Sequence, residues 1–294
     1  MAISVLASLR VNHPATSDSL SMPTAIEKLG DHNGIAVVMI YGPISNSEAT
    51  SFLSTGGASD EIVDEINGHK DDPNVRALIL RINSPGGTVG AAQEISDAVQ
   101  RFKSARPKVP VLASIGDQGA SAAYWIACSA DTIVANPGSL VGSIGVIMQQ
   151  LDLTSVKDKY GVGVRTYKSG DYKDMMSGWR TPSSGEEVIV QSMLDNVHEQ
   201  FLEMVQNHRK LSPQQMALVQ EAQIFTGKQA IAVGLVDQLG SFQKTVDIAT
   251  RQAKIKSPYL IERPRNPFAT FLSQMGIASH LPIPVLTPSF PVPQ

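Results

Sequence analysis

A serine among small side chains, a lysine-bearing turn and a Ser-Pro-Gly-Gly stretch together hold the parts of an acyl-transfer site. Ser121 lies in GASAAYWIACSAD, Gly119 to Asp131, which reads as the start of a helix whose first amides are free to meet an anion. Lys168 and Lys173 fall in KSGDYKDMMS, Lys168 to Ser177, and supply candidate bases. Ser84 to Gly87 follows an apolar run and offers main-chain N–H groups for an oxyanion. A serine hydroxyl is a poor nucleophile until a base accepts its proton, and histidine is the usual base. No histidine occurs between His69 and His198, so the set points to a serine peptidase that works without one.

These groups need a framework, and the chain supplies a β/α succession. IAVVMIYGPI, VRALILRI and VPVLASI read as strands, and ASDEIVDEINGHK and AAQEISDAVQRFKSA between them as helices. The strands are apolar almost without interruption, which predicts a mostly parallel sheet covered by helices on both faces. Further strands are expected at TIVAN, SIGVIMQ and VGVRTYK. EEVIVQSMLDNVHEQFLEMVQNHRK is the longest expected helix, with Val190, Leu194, Val197, Phe201 and Val205 on one buried face. Ser212 and Pro213 open another helix, and FQKTVDIATRQAKI forms the last.

The chain has 294 residues with 42% hydrophobic content, enough for one large α/β domain or two modest ones. Lys and Arg total 24 against 27 Asp and Glu, giving a formal charge of -3 and no broad basic field, so nucleic acid is not an expected partner. Cys128 is the single cysteine and sits in an apolar run, where it reads as a core residue. The start, MAISVLASLRVNHPATSDSL, has no leading basic cluster and turns polar early, which predicts neither a cleaved signal nor a membrane span. The expected organisation is an arm over residues 1–34, a catalytic domain over 35–256 and a proline-rich, extended tail over 257–294.

Five motifs occur in order: NSPGG at Asn83 to Gly87, GASAAYWIACSAD around Ser121, GSIGVIM at Gly142 to Met148, SGDYKDMMS around Lys173 and FTGKQAIAVGLVDQLG at Phe225 to Gly240. Through them the chain resembles the signal peptide peptidase A family, also called protease IV, over roughly residues 35 to 250. The resemblance implies an α/β, ClpP/crotonase-like fold with a mostly parallel sheet flanked by helices. It also implies that Ser121 is the nucleophile, Lys173 the general base and Ser143 a helper near the lysine.

An amine accepts a proton only when neutral, and a lysine in water is protonated at neutral pH, so this mechanism requires Lys173 to be desolvated. Asp171 and Asp174 flank it and are expected to face away from the amine. Ser143 could orient the amine without adding charge; the alternative is a plain turn serine in VGSIG. Gly87 is the favoured oxyanion donor, because Pro85 stiffens the turn and two glycines allow close main-chain approach, and the Ala122 amide at the helix start is the second. Taken singly, Ser121 reads as an N-cap and Lys173 as a solvated loop lysine; the motif context favours the catalytic roles. His198 and His208 lack metal-site spacing and companions, and no metal or cofactor is assigned. Tyr124 and Trp125 are expected to pack beneath the nucleophile.

The expected activity is endopeptidase hydrolysis by a Ser/Lys dyad, and the resemblance implies hydrophobic peptides of the signal-peptide-remnant type as substrates. Alternatives are a phage-type capsid or scaffold maturation peptidase and a catalytically inactive binding protein of the same fold. A crotonase-type acyl-CoA enzyme is disfavoured by the serine and lysine. The resemblance further implies a homo-oligomeric ring, since each motif occurs once. The expected location is the cytoplasm, with membrane contact at most peripheral.

Overall fold

Alternate residues of neighbouring strands enter two separate cores, as the two-residue period of a strand dictates. The computed structural model of the chain describes residues 33–46 and 59–262. Strand β1 (Gly34–Tyr41) sends Ala36, Val38 and Ile40 to one face and Ile35 and Val37 to the other. Its parallel neighbour β2 (Val75–Ser84) does the same with Leu78, Leu80 and Ile82 against Ala77 and Ile79. Every one of these side chains is buried, which is why the strand sequences are apolar at consecutive positions.

Helices cover both faces. On the larger core lie α1 (Ser59–Lys70) and α2 (Val89–Ala105), the latter burying Ala91, Ala92, Ile95, Ala98, Val99 and Phe102 at helical spacing. On the smaller lies α8 (Phe242–Gln252), through Val246, Ile248 and Ala249. The described residues form an eight-stranded sheet. Its main path is β6-β5-β3-β2-β1-β8, with β3 (Val111–Ala120), β5 (Leu140–Gly142), β6 (Ile224–Thr226) and β8 (Tyr259–Glu262). β4 (Thr132–Ala135) pairs with β3 and with β7 (Gln238–Leu239), and all pairings are parallel except β5 with β6. The mostly parallel, helix-flanked sheet expected from the sequence is therefore present.

β3 changes partner along its length, pairing with β4 over Leu112 to Ile115 and with β5 over Gln118 to Ala120. That switch brings the chain after Ala120 beside the chain after Gly142. Helix α3 (Ala122–Cys128) begins there and is buried throughout. Tyr124 donates to the Leu235 carbonyl at 2.7 Å, and Trp125 stacks on Phe201 with ring centroids 4.9 Å apart. Burial pushes the Cys128 thiol up to about 12, so it is a neutral packing group.

Helix α5 (Ser184–Arg209) starts with a capping box between Ser183 and Glu186. Phe201 and Val205 are fully buried as expected, whereas Val190, Leu194 and Val197 are only half-buried. A Phe ring in Phe201's position is worth about 3–5 kcal/mol on truncation, so the C-terminal half anchors this helix. α6 (Pro213–Val219) has the expected Ser212 cap and Pro213 start, and α7 (Gly227–Ala232) is capped by Thr226.

Three local expectations change. SIGVIMQ does not continue as a strand: Gly142 and Ser143 both have positive φ, of 98° and 52°, which turns the chain out of the ladder after β5. VGVRTYK pairs with nothing in the described chain and remains irregular, and the short helix α4 (Thr154–Tyr160) precedes it. The segment expected to be tail from residue 257 first contributes β8, which adds to the β1 edge. The arm over 1–34 lies outside the described residues up to position 32, as does the tail from 263.

Candidate active site

The site is built on the ends of two adjacent strands. Ala120 of β3 lies opposite Gly142 of β5, so the residues that follow them, Ser121 and Ser143, are neighbours across the sheet. The Ser121 N–H donates to the Gly142 carbonyl at 2.8 Å, and the Ser143 N–H donates to Gln223 at 2.8 Å. Both serines are half-buried with φ near +50°, 54° for Ser121 and 52° for Ser143. A non-glycine residue held there is strained by about 1–3 kcal/mol, and the surrounding strands must impose it.

Ser121 occupies the position before α3 but its hydroxyl caps nothing. An N-cap serine normally spends its oxygen on an amide of the first turn. Here that oxygen remains available, which separates Ser121 from Ser183 and Ser212, whose side chains do cap their helices.

The Pro-Gly-Gly turn closes on this elbow. Gly86 has φ of 107°, and a methyl group added to it would meet Ser121 Cβ at 2.8 Å, the Ala120 carbonyl at 2.9 Å and the Ala122 nitrogen at 3.0 Å. Ser84, fully buried, fixes the turn by accepting from the Gly86 N–H at 3.1 Å. Ile44 clamps its other side, donating to Gly86 at 3.0 Å and accepting from Thr88 at 2.9 Å. Those two bonds bracket Gly87 and leave its N–H without a main-chain acceptor among the described residues. The Ala122 N–H, at the first position of α3, has no carbonyl four residues back within the helix. The Gly87 and Ala122 amides thus both lack a main-chain acceptor among the described residues, one in the turn whose Gly86 packs on Ser121 and the other directly after Ser121.

A methyl group on Gly87 would drive into the Ile44 carbonyl oxygen. Gly87→Ala is therefore expected to displace the turn and lower turnover roughly 100- to 1,000-fold, as loss of one oxyanion donor does, with the circular dichroism spectrum unchanged. Near-normal kcat in a folded Gly87→Ala protein would remove Gly87 from the donor pair.

Lys173 is placed differently. It is exposed, in a turn whose N–H donates to Gly170 at 3.1 Å, and within the described chain its amine makes no hydrogen bond to Ser121 or Ser143. The expected burial of Lys173 is therefore not met within one chain. Its flanking carboxylates do stay off the amine: Asp174 bonds Arg180 and Lys168, and Asp171 forms no ion pair with Lys173. The rival base, Lys168, is committed to Asp174 and to the Asp171 carbonyl, both at 2.8 Å.

The region around Lys173 has no buried residue from Leu151 to Gly185, yet it carries large apolar side chains. Ile147 and Leu151 are each 78% exposed and Tyr167 is 90% exposed, joined by Tyr160, Tyr172 and Trp179. Such a run is far from what an isolated surface tolerates. It adjoins the half-buried start of α5.

His198, read from the sequence only as a helix residue, ties α5 to the site. Its Nε2–H donates to the Ile144 carbonyl at 3.1 Å, one residue beyond Ser143. No spacing rule announces that contact. Arg180 carries no sequence signature of its role, whereas Ser183 followed by Glu186 is a readable capping-box pattern.

A family model, Peptidase family S49, matches residues 103–256, more than half of the chain. A putative protease of Synechocystis sp. is 40% identical over 165 residues, covering 56% of this chain and 58% of that protein. A putative signal peptide peptidase of Enterococcus faecium is 27% identical over 238 residues, covering 81% and 69% respectively. Capsid assembly protease C of Escherichia phage lambda is 30% identical over 209 residues, covering 70% of this chain and 46% of that one. The chain thus spans between about half and two thirds of these relatives' lengths.

Proposed function

Since the chain belongs to peptidase family S49, in the signal peptide peptidase A and protease IV group with its ClpP/crotonase-like fold, we propose that it is a Ser/Lys endopeptidase acting on extended apolar peptides. The observation that carries this reading is the Ser121 elbow: a strained serine with an uncommitted hydroxyl, followed by the Ala122 amide and packed against Gly86, which supports Gly87 and Ala122 as the oxyanion donors. Ser121 Oγ attacks the peptide carbonyl carbon as Lys173 takes its proton, and the two amides hold the oxygen that becomes negative. The lysine then returns the proton to the departing amine. Water, deprotonated by the same amine, hydrolyses the ester.

An ammonium facing water keeps its proton at neutral pH. Lys173 therefore becomes a base when a second copy covers the apolar surface around it, and the active form is a homo-oligomer in which Lys173 serves a neighbour's Ser121. The large exposed side chains from Ile147 to Trp179 favour this reading over a monomer. No described helix is long and apolar enough to cross a membrane.

Ser143 is the residue that orients the lysine amine. Ser143→Ala is expected to lower kcat by about tenfold or more without changing the melting temperature, since the hydroxyl bonds nothing in the described chain. Unchanged turnover would return Ser143 to the role of a turn residue.

The test of the proposed activity is hydrolysis of a fluorogenic peptide with an apolar stretch by the purified oligomer. Its absence at every concentration would favour the inactive binding protein. The likeness to the lambda capsid assembly protease favours a second reading, a dedicated structural protein as substrate. Comparing protein termini in cells with and without Ser121 separates many apolar fragments from one cleaved protein.

A further inference from the structure

The residue after Lys173 is locked to the start of α5, whereas Lys173 itself is exposed. Asp174 accepts from Arg180 Nε at 2.9 Å and Nη2 at 2.7 Å, and from Lys168 Nζ at 2.8 Å. The same guanidinium donates through Nη1 to Glu186 Oε2 at 2.8 Å and through Nη2 to Glu186 Oε1. Glu186 is nearly buried, with a side chain 4% exposed, and also accepts from the Ser183 N–H at 2.7 Å. Tyr172 closes the other flank, since a methyl on Gly185 in the first turn of α5 would lie 3.3 Å from its hydroxyl. One arginine thus bridges the carboxylate next to Lys173 and a carboxylate built into the helix cap. Arg180 holds the Glu186 carboxyl down at about 2 and the Asp174 carboxyl well below the usual carboxylate range.

Resting on the reading of Lys173 as the base, we infer that Arg180 is a positioning residue for that amine: it fixes the Lys173 turn on α5 and keeps the Asp174 carboxylate from closing on the Lys173 ammonium. The need follows from electrostatics. A carboxylate within ion-pair reach favours the charged amine, and a charged amine cannot accept the serine proton. The charged groups facing the turn are Lys168, Asp171 and Asp174 from the turn itself, Arg180 from the segment that leads into α5 and Glu186 from its first turn. Asp174 is adjacent to Lys173 and is bound by Lys168 and, through two nitrogens, by Arg180. A lysine at position 180 could not replace it, because an ammonium lacks the planar fork that spans two carboxylates.

The test uses full-length oligomer and the pH dependence of kcat/KM. Removing Arg180 alone would strand the buried Glu186 charge, so Arg180→Gln is combined with Glu186→Gln. The pair is expected to move the acid limb of the profile upward by about one pH unit, and hence to lower the rate at neutral pH about tenfold. Adding Asp174→Asn should return the limb to its wild-type position, because the carboxylate that the clasp restrained is then gone. A purely structural role predicts a uniform loss at every pH with no shift. An unmoved limb, or a shift that persists after Asp174→Asn, overturns the inference while leaving the dyad intact. Lys173→Ala with wild-type turnover would overturn the dyad and this inference together.

Discussion

Ser121→Ala is expected to reduce peptide hydrolysis by on the order of 1,000-fold or more while leaving the melting temperature of the protein in place. The two halves of that statement rest on the same geometry. The Ser121 hydroxyl makes no cap and no other hydrogen bond in the described chain, so its removal takes away no folding interaction. A surface-accessible oxygen of that kind contributes within about 0.5 kcal/mol to stability. The elbow itself is held by main-chain bonds, from the Ser121 N–H to Gly142 and from the Tyr124 N–H to the Ser121 carbonyl, both 2.8 Å, which alanine keeps. A fluorophosphonate probe should label the wild-type protein once per chain and the variant not at all. Substantial turnover by Ser121→Ala, or labelling that survives it, would move the nucleophile elsewhere.

The sheet was readable because its information is local. Apolar residues at successive positions of β1 and β2 report burial on both faces, and the alternation between the two cores follows from the pleat. Paired glycines after β2 mark a close main-chain approach in the sequence, and the structure has one at each: Gly86 packs on Ser121 and Gly87 on Ile44. What was not readable depends on pairing at a distance. The adjacency of Ser121 and Ser143 comes from β3 abandoning β4 for β5 after Ile115, a switch with no signature in either segment. SIGVIMQ and VGVRTYK have the apolar content of strands but find no sheet edge. The apolar stripe of α5 was correct as a stripe, yet only its C-terminal half meets α3 and the core. Periodicity states that a face is apolar; it does not state whether the chain's own core or another copy covers it.

That distinction leads to the second large effect. Ser121→Ala and Lys173→Ala are each expected to be inactive alone, yet mixing them under conditions that let subunits exchange should restore activity. If each site joins Ser121 of one subunit to Lys173 of the next, an equal mixture forms a complete site wherever a Lys173→Ala subunit precedes a Ser121→Ala subunit. Random placement around a closed ring gives about a quarter of the wild-type sites, a signal far above either variant. Dilution should abolish the recovered activity as the subunits part, because the exposed amine then returns to water. If, as proposed, the apolar region from Ile147 to Trp179 carries this exchange, charged substitutions at Leu151 or Tyr167, which are 78% and 90% exposed in the single chain, should prevent both assembly and complementation without unfolding the sheet. A mixture that stays inactive although light scattering shows mixed oligomers would place both groups of each site in one chain. The turn bearing Lys173 would then have to fold back on Ser121, releasing the grip of Arg180 and Glu186 that now fixes it.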